Sequence, residues 1–428
     1  MLLIKLNDRL MNTFKIFIVI AFVAIPGILL SQSAQWRGHQ RTGHYTEDNL
    51  LQSWPEEGPE LLFKTEGIGK GYSSAILSDN MIYVSGQMDT MDYISALDLN
   101  GKIIWQVPYG KAWTRSYAET RSTPTIDGNS IYLTSGNGEL VCVNKKNGKV
   151  IWNIDVMKDF EGEFGSWGHA ESPLVVDDKV IFTAAGPKTT MAAFDKENGD
   201  LIWATESLND KNGYVSPIQI KHHDKKMIVG VTGKYIIGVN PENGRIIWKF
   251  SYVDLGPPET QRSRRQNNTV TPLYHDGYIY LTSGYDHVGV KLKLNEEGTD
   301  VSLVWTDPVL DVHHGGAVLV DGCIYGSNWI NNREGKWCCI DWETGEAKYE
   351  QEWNTKGSIV YADGLLYVYE ERRGHVGLVR PDSEGFELIS SFRVEDGVGP
   401  HWAHPSIYNG QLFIRHGDVL MVYNVKAN

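Results

Sequence analysis

The feature that most constrains this chain is a period. A hairpin corner written Asp-Gly, or a close relative of it, recurs at Asp79-Asn80, Asp127-Gly128, Asp177-Asp178, Asp224-Lys225, Asp276-Gly277, Asp321-Gly322, Asp363-Gly364 and Asn409-Gly410, roughly every 47 residues. A fixed period of this length marks an architecture in which one supersecondary unit stacks on copies of itself. Each corner leads into a short β-rich run, such as Met81-Ile82-Tyr83-Val84 or Leu365-Leu366-Tyr367-Val368. Asp-Gly between apolar runs supplies the positive φ of a two-residue hairpin, so each corner joins two antiparallel strands. Ser/Thr-Pro stands ahead of several corners, at Thr123-Pro124, Ser172-Pro173, Ser216-Pro217, Thr271-Pro272 and, varied, His404-Pro405. Proline is tolerated there because it opens a strand instead of interrupting a ladder.

A third run ends in an acidic or amide turn and a fourth carries tryptophan: Asn100-Gly101 with Trp105, Asn147-Gly148 with Trp152, Asn198-Gly199 with Trp203, and Asn243-Gly244 with Trp248. Four strands per repeat is a propeller blade, and eight corners make eight blades. The expected fold is therefore all-β, an eight-bladed β-propeller of four-stranded antiparallel blades. The tryptophans are expected to pack between neighbouring blades. The last copy ends at Val425 without a fourth run, and Leu61-Leu62-Phe63-Lys64 ahead of the first blade is expected to supply it. Such an N-terminal strand closes the ring and removes two exposed sheet edges.

Residues 1–33 read as a secretory signal peptide. Lys15 precedes an apolar run from Ile16 to Leu30, and Ser31, Gln32 and Ser33 follow as a cleavage site. The run falls short of the ~20 apolar residues of a spanning helix, and no cysteine near the cleavage point offers a lipid anchor. The mature chain, 34–428, is expected to be one propeller domain, periplasmic or secreted, monomeric and without a membrane anchor. A net charge of −13 argues against nucleic acid as a partner, since that needs a basic surface. Cys142, Cys323, Cys338 and Cys339 show neither metal-type spacing nor a haem motif.

The repeat Ala-x-Asp-x-x-(Thr/Asn)-Gly followed by Trp resembles that of the PQQ-like propellers, which include quinoprotein dehydrogenases and outer-membrane assembly-factor lipoproteins. Gln35-Trp36-Arg37-Gly38 with Arg41 and Gly43, Trp54-Pro55, and Gly69-Lys70-Gly71-Tyr72-Ser73-Ser74 resemble the opening of a secreted subgroup of that family. The resemblance covers the mature chain and implies the fold, while function has to come from the site. Methanol-oxidising relatives carry a vicinal disulfide near their cofactor. Cys338-Cys339 lies within a strand, where neighbouring residues face opposite ways, so core packing or a cross-strand bond from Cys323 is expected instead. PQQ is accordingly set aside as a cofactor. A divalent metal is left open.

Residues just before each inner strand must crowd one rim of the ring. Two positions before the Ser/Thr-Pro mark stand Tyr72, Arg121, Ala170, Tyr214, Thr269, His314, Lys356 and Trp402; three before it stand Gly71, Thr120, His169, Gly213, Asn268, His313, Thr355 and His401. Histidine and tyrosine at such a rim can move protons, and arginine can neutralise a bound carboxylate. The reading that follows is an oligosaccharide-acting enzyme, a lyase or dehydratase eliminating across a uronic-acid residue in polysaccharide degradation. His169, His314, Tyr214 and Tyr72 are its candidate acid–base groups. Arg121, Lys356, Asn268, His404 and Trp402 are its candidate substrate contacts, with Glu119 and Glu171 beside them to orient a histidine or hold a metal. The basic stretch Asp254–Arg265 is a candidate overhang of the same rim. The alternative is a non-catalytic propeller binding a protein or glycan, and behind it a PQQ-dependent dehydrogenase.

Overall fold

A computed structural model of the protein describes residues 34–255 and 267–427. The strands fall into eight sheets, and in each the inner, second, third and outer strands follow one another as antiparallel neighbours. Blade one runs from Ile76–Ser78 to Ile103–Lys111, blade four from Ile218–His222 to Ile246–Ser251, and blade six from Val312–Val320 to Ala347–Gln351. In the eighth blade the fourth strand is Glu60–Thr65, which pairs antiparallel with Val419–Asn424. The ring is thus closed by the N-terminal strand.

Five of the corners, at 79–80, 276–277, 321–322, 363–364 and 409–410, have positive φ at both central residues, the backbone of a type I′ turn that matches strand twist. Two corners sit one residue away from where the sequence places them. In blade two Asp127 pairs with Ser130, so Gly128-Asn129 is the turn; in blade four His222 pairs with Lys225, so His223-Asp224 is.

Two devices join the blades. At one end, the hydroxyl of the Ser/Thr-Pro mark accepts a backbone N–H from the preceding blade: Ser74 N–H donates to Thr123 Oγ1, Thr123 N–H to Ser172 Oγ, and Ser172 N–H to Ser216 Oγ, each at 2.9–3.0 Å. At the other end, the outer-strand tryptophans Trp105, Trp152, Trp203 and Trp305 lie on the turn glycine of the next blade. A Cβ on Gly148 would meet Trp105 at 2.7 Å, and one on Gly244 would meet Trp203 at 2.5 Å, so only glycine admits the ring. Trp152 and Trp203 also donate their indole N–H to carbonyls of the next blade, at Lys196 and Pro241. At the closure point Phe63 takes the tryptophan position, against Gly101 of blade one.

The outer strand of every blade carries a register break just before the tryptophan position, as between Val150 and Trp152. The residue at the break is exposed in several blades, Ile104 at 52% and Ile151 at 48%. A bulge twists an unpaired edge away from a second chain.

Segment 34–45 crosses the central channel. Ala34 bridges Ile126 of blade two, and His44–Tyr45 add in parallel to Tyr361–Ala362 of blade seven. Between them the Arg41 guanidinium donates to the carbonyls of Ser172, Pro173 and Pro217, on blades three and four. Arg37 donates to the carbonyls of Ala317 and Ile359 and to His404 Nδ1, on blades six, seven and eight. Both arginines are at most 2% exposed. The chain leaves at the corner end, where the Glu47 carboxylate accepts the N–H groups of Asn409 and Gly410. The Gln35–Gly43 motif is therefore a plug, and one end of the ring is closed.

Arg415 does similar work for the second motif. Fully buried, it donates to the carbonyls of Gly69, Ser73, Ser85 and Gly417 and to Ser73 Oγ, which shapes the loop that presents Tyr72. The four cysteines are free and buried. Cys338 and Cys339 point into different core clusters, as strand alternation requires.

Candidate functional site

Antiparallel order puts the connections entering the inner strands and the turns between second and third strands at the same end, opposite the plug. Side chains from these segments form a closed circuit of ring contacts. Trp402 lies 5.9 Å from Tyr117, Tyr117 6.3 Å from Trp167, Trp167 6.0 Å from Tyr285, Tyr285 5.1 Å from His313, His313 4.1 Å from His314, and His314 4.9 Å from Trp402, centroid to centroid. Tyr72 leans on Trp402 and Tyr214 on Trp167. Most of these pairs are tilted or edge-on, the arrangements that ring quadrupoles favour.

The collar is held in unusual backbone. Tyr117, Glu119 and Tyr285 have φ of 47°, 99° and 74°, a region bulky residues rarely enter and one that clusters at functional sites. Tyr117 is 58% exposed. Behind it, Arg121 donates to the carbonyls of Tyr117 and Glu119, tying the cation to the strained loop. Burial holds the Arg121 guanidinium below its ordinary value, while the nearby Tyr72 and Tyr214 oxygens work the other way.

Of the residues the sequence nominates, Tyr72, Arg121, Tyr214, His314 and Trp402 do meet at this mouth. Four others lie beneath it. His169 is 1% exposed, stacked 4.4 Å from Phe182, and its Nδ1 accepts from Asn212. It is walled off from any substrate. Asn268 donates to the carbonyls of Thr232 and Gly233. His404 bridges the plug and the collar: Arg37 can only donate, so Nδ1 accepts, and Nε2–H donates to the His314 carbonyl at 2.9 Å. Lys356 is spent in an ion pair with Glu371 at 2.7 Å and a bond to the Asn331 carbonyl.

The acid–base assignment fares accordingly. Burial pushes the His169 and His314 imidazoles down to about 3, with Lys356 and Arg121 adding to the effect at His314. A base so weak accepts protons poorly near neutrality. Tyr72 and Tyr214 are both pushed upward, chiefly by burial. Glu171 accepts from Thr183 and lies near Arg41, and burial raises it to about 8. It stands with the plug, not with a histidine of the mouth. Residues 256–266 of the expected overhang, including Arg262, Arg264 and Arg265, lie outside the described residues.

Glu371, which sequence reasoning passed over, belongs to the site. It opens the turn after the second strand of blade seven, Leu365–Glu370, which antiparallel order places at the mouth. It is buried, its Oε2 is 3.8 Å from His314 Nε2, and burial raises its pKa against the opposing pull of Lys356. The Glu370-Glu371-Arg372-Arg373 run just past an apolar strand was the available signal.

The family model described as outer membrane protein assembly factor BamB matches residues 90–347. BamB of Moranella endobia is 25% identical over 205 residues, 46% of this chain and 45% of that protein. Across the curated relatives aligned with it the chain spans from 24% to 63% of their length. Among solved structures, BamB from Moraxella catarrhalis superposes with a TM-score of 0.62 at 15% identity, covering 86% of this chain and 99% of that one. A europium-containing methanol dehydrogenase does so at 0.64 and 13%, covering 90% of each. Likenesses at this identity show the fold.

The residues at the mouth do not make a cradle for PQQ, a planar tricarboxylate. Trp167 and Tyr285 stack at 18° with centroids 6.0 Å apart, too close for a third ring to enter between them. The cations that would meet carboxylates, Lys356 and Arg121, are committed to Glu371 and to backbone carbonyls. The vicinal cysteines are in the core of blade six. Repeat, ring closure and the matched span of more than half the chain agree: this protein belongs to the family described as outer membrane protein assembly factor BamB, the PQQ-like repeat propellers.

Proposed function

We propose that the chain is an exported, monomeric, non-catalytic propeller that docks a protein partner on its collared end. The observation that carries this is the collar: a closed ring of aromatic side chains, with Tyr117 exposed on strained backbone and a half-buried arginine behind it. Tyrosine, tryptophan and arginine are the residues that dominate binding hot spots, whereas the groups an eliminating enzyme needs are walled off, paired or too weakly basic. Relatives named as assembly factors support a protein as the occupant. A photo-crosslinking residue placed at Tyr117 is expected to give one discrete adduct in the producing cell, and the same residue at Ile104, exposed on an outer strand, none. Equal labelling from both positions would refute the docking surface. Export is part of the proposal, and the mature protein is expected to begin at Ala34 on N-terminal sequencing.

A second reading is elimination across a uronate, which draws on the convergence of Arg121, Tyr72 and Tyr214. It requires ultraviolet absorbance from an unsaturated uronate when oligouronates are supplied, and a flat trace across a broad panel removes it.

A further inference from the structure

Beyond the docking surface, we infer that His313, His314 and Glu371 bind a transition-metal dication, zinc by choice, at the base of the collar. Each offers one ligand atom, and the three lie within 4.8 Å of one another. Closing to the ~3.3 Å separation of ligands around zinc needs only small side-chain rotations, given Zn–N and Zn–O bonds of about 2.0–2.2 Å.

Two features mark these atoms as ligands instead of ordinary buried polar groups. First, His313 Nδ1 and His314 Nε2 are both buried without a hydrogen-bond partner, although buried polar atoms are satisfied in the great majority of cases. Two such nitrogens from adjacent residues, facing one carboxylate, have a common explanation in a shared ion. Second, the backbone is bent to bring them together. Adjacent residues of a strand face opposite ways, yet these two imidazoles lie 4.1 Å apart. The inner strand of blade six loses register between Val312 and Ala317, and Gly316, at φ 73°, lies where a side chain would collide with the Arg37 guanidinium. Bulges of this kind re-aim side chains beside functional sites.

The surrounding groups complete a metal site. His313 Nε2 bonds the Tyr285 hydroxyl at 3.0 Å, which leaves Nδ1 for the ion. Lys356 holds Glu371 Oε1 at 2.7 Å, which orients the carboxylate and leaves Oε2 toward His314. Such outer partners fix the ligands of known metal sites. Because Lys356 also shares the carboxylate charge, the site depends on its imidazoles, which favours zinc, copper or nickel over calcium or magnesium. Three protein ligands leave a fourth position for water or a partner's donor atom.

The test uses the mature protein stripped with EDTA and titrated with zinc by calorimetry. One equivalent per chain is expected, with calcium giving no heat, and His313→Ala and His314→Ala each weakening zinc by about ten-fold or more. His169→Ala is the control and should bind as the parent does. If either variant fails to fold, copper-loaded parent protein examined by electron paramagnetic resonance should show coupling to two nitrogens. Absence of stoichiometric zinc, undiminished binding in both variants, or a copper spectrum without nitrogen coupling would each overturn the inference.

Discussion

The two ends of this ring treat buried polar groups in opposite ways. At the plugged end, Arg37 and Arg41 are taken out of water almost completely, and the structure gives the first guanidinium three acceptors and the second four. At the collared end, His313 Nδ1 and His314 Nε2 are out of water too, although their side chains are only half-buried, and they have none. Burying a polar group costs free energy unless it is hydrogen-bonded. The plug answers that cost within the fold, and the collar leaves it to be answered by something that binds. Arginine in the channel is thus structural, whereas the two collar histidines have no partner for these nitrogens within the fold.

The largest expected effect comes from breaking the closed end. A chain beginning at Glu66 loses Glu60–Thr65 as well as the plug and leaves Val419–Asn424 as an open edge. It is expected to lose cooperative unfolding altogether, a deficit comparable with a whole domain's stability of about 5–15 kcal/mol. A chain beginning at Glu57 keeps the closing strand and loses the plug together with the His44–Tyr45 strand and the core side chains of Leu50 and Trp54. It is expected to melt cooperatively at a lower Tm. Identical melting of the full chain and the Glu66 form would show that closure contributes nothing.

Next comes Arg41→Ala, which leaves the carbonyls of Ser172, Pro173 and Pro217 without their donor. Buried unsatisfied groups cost about 1–3 kcal/mol each, with partial relaxation, so a loss of about 3 kcal/mol in urea unfolding is expected. A loss below about 1 kcal/mol would mean that water replaces the guanidinium and that the plugged end is not dry.

The pH dependence is smaller. His169 is held neutral, its folded value near 3 lying below the ordinary 6.5. A depressed folded value means that the unfolded chain binds the proton first. The stability this residue contributes is complete above about pH 6.5 and is lost as pH falls toward 3. The Tm difference between the parent and His169→Gln is expected to shrink across that window, and a constant difference would place His169 in contact with solvent.

Smallest in stability is Tyr117→Ala. At 58% exposure the change should stay within about 0.5 kcal/mol, while capture of the partner falls by about thirty-fold, the loss of a 2 kcal/mol hot spot. Unchanged capture would move the docking surface away from the collar.

Much of the fold was legible in the sequence because it is written locally and repeated. Asp363-Gly364 between two apolar runs needs no knowledge of the rest of the chain to be a hairpin, and the spacing of Trp105, Trp152, Trp203 and Trp248 gives the blade length. The same logic found Leu61–Lys64 as the closing strand, since a count of strands leaves one missing. It erred by a residue at His223-Asp224, where Lys225 belongs to the second strand and no glycine marks the turn. The rim alignment brought Tyr72, Arg121, Tyr214, His314 and Trp402 to one mouth, but it also put the buried His169 and Lys356 on that rim. Depth along the channel depends on how each connection folds over its neighbour, and a column of aligned positions carries no depth.

What sequence determined by itself is the ring, because period, turn chemistry and hydrophobic alternation are short-range constraints that agree in most copies. Only the tertiary structure decided what the polar residues of that ring are for. Arg37 became a plug through acceptors on blades six, seven and eight. His313 and His314 came to share a face with Glu371 through a bulge in one strand and a turn on the next blade. These are meetings between residues tens to hundreds of positions apart, set by packing, and no local pattern encodes them.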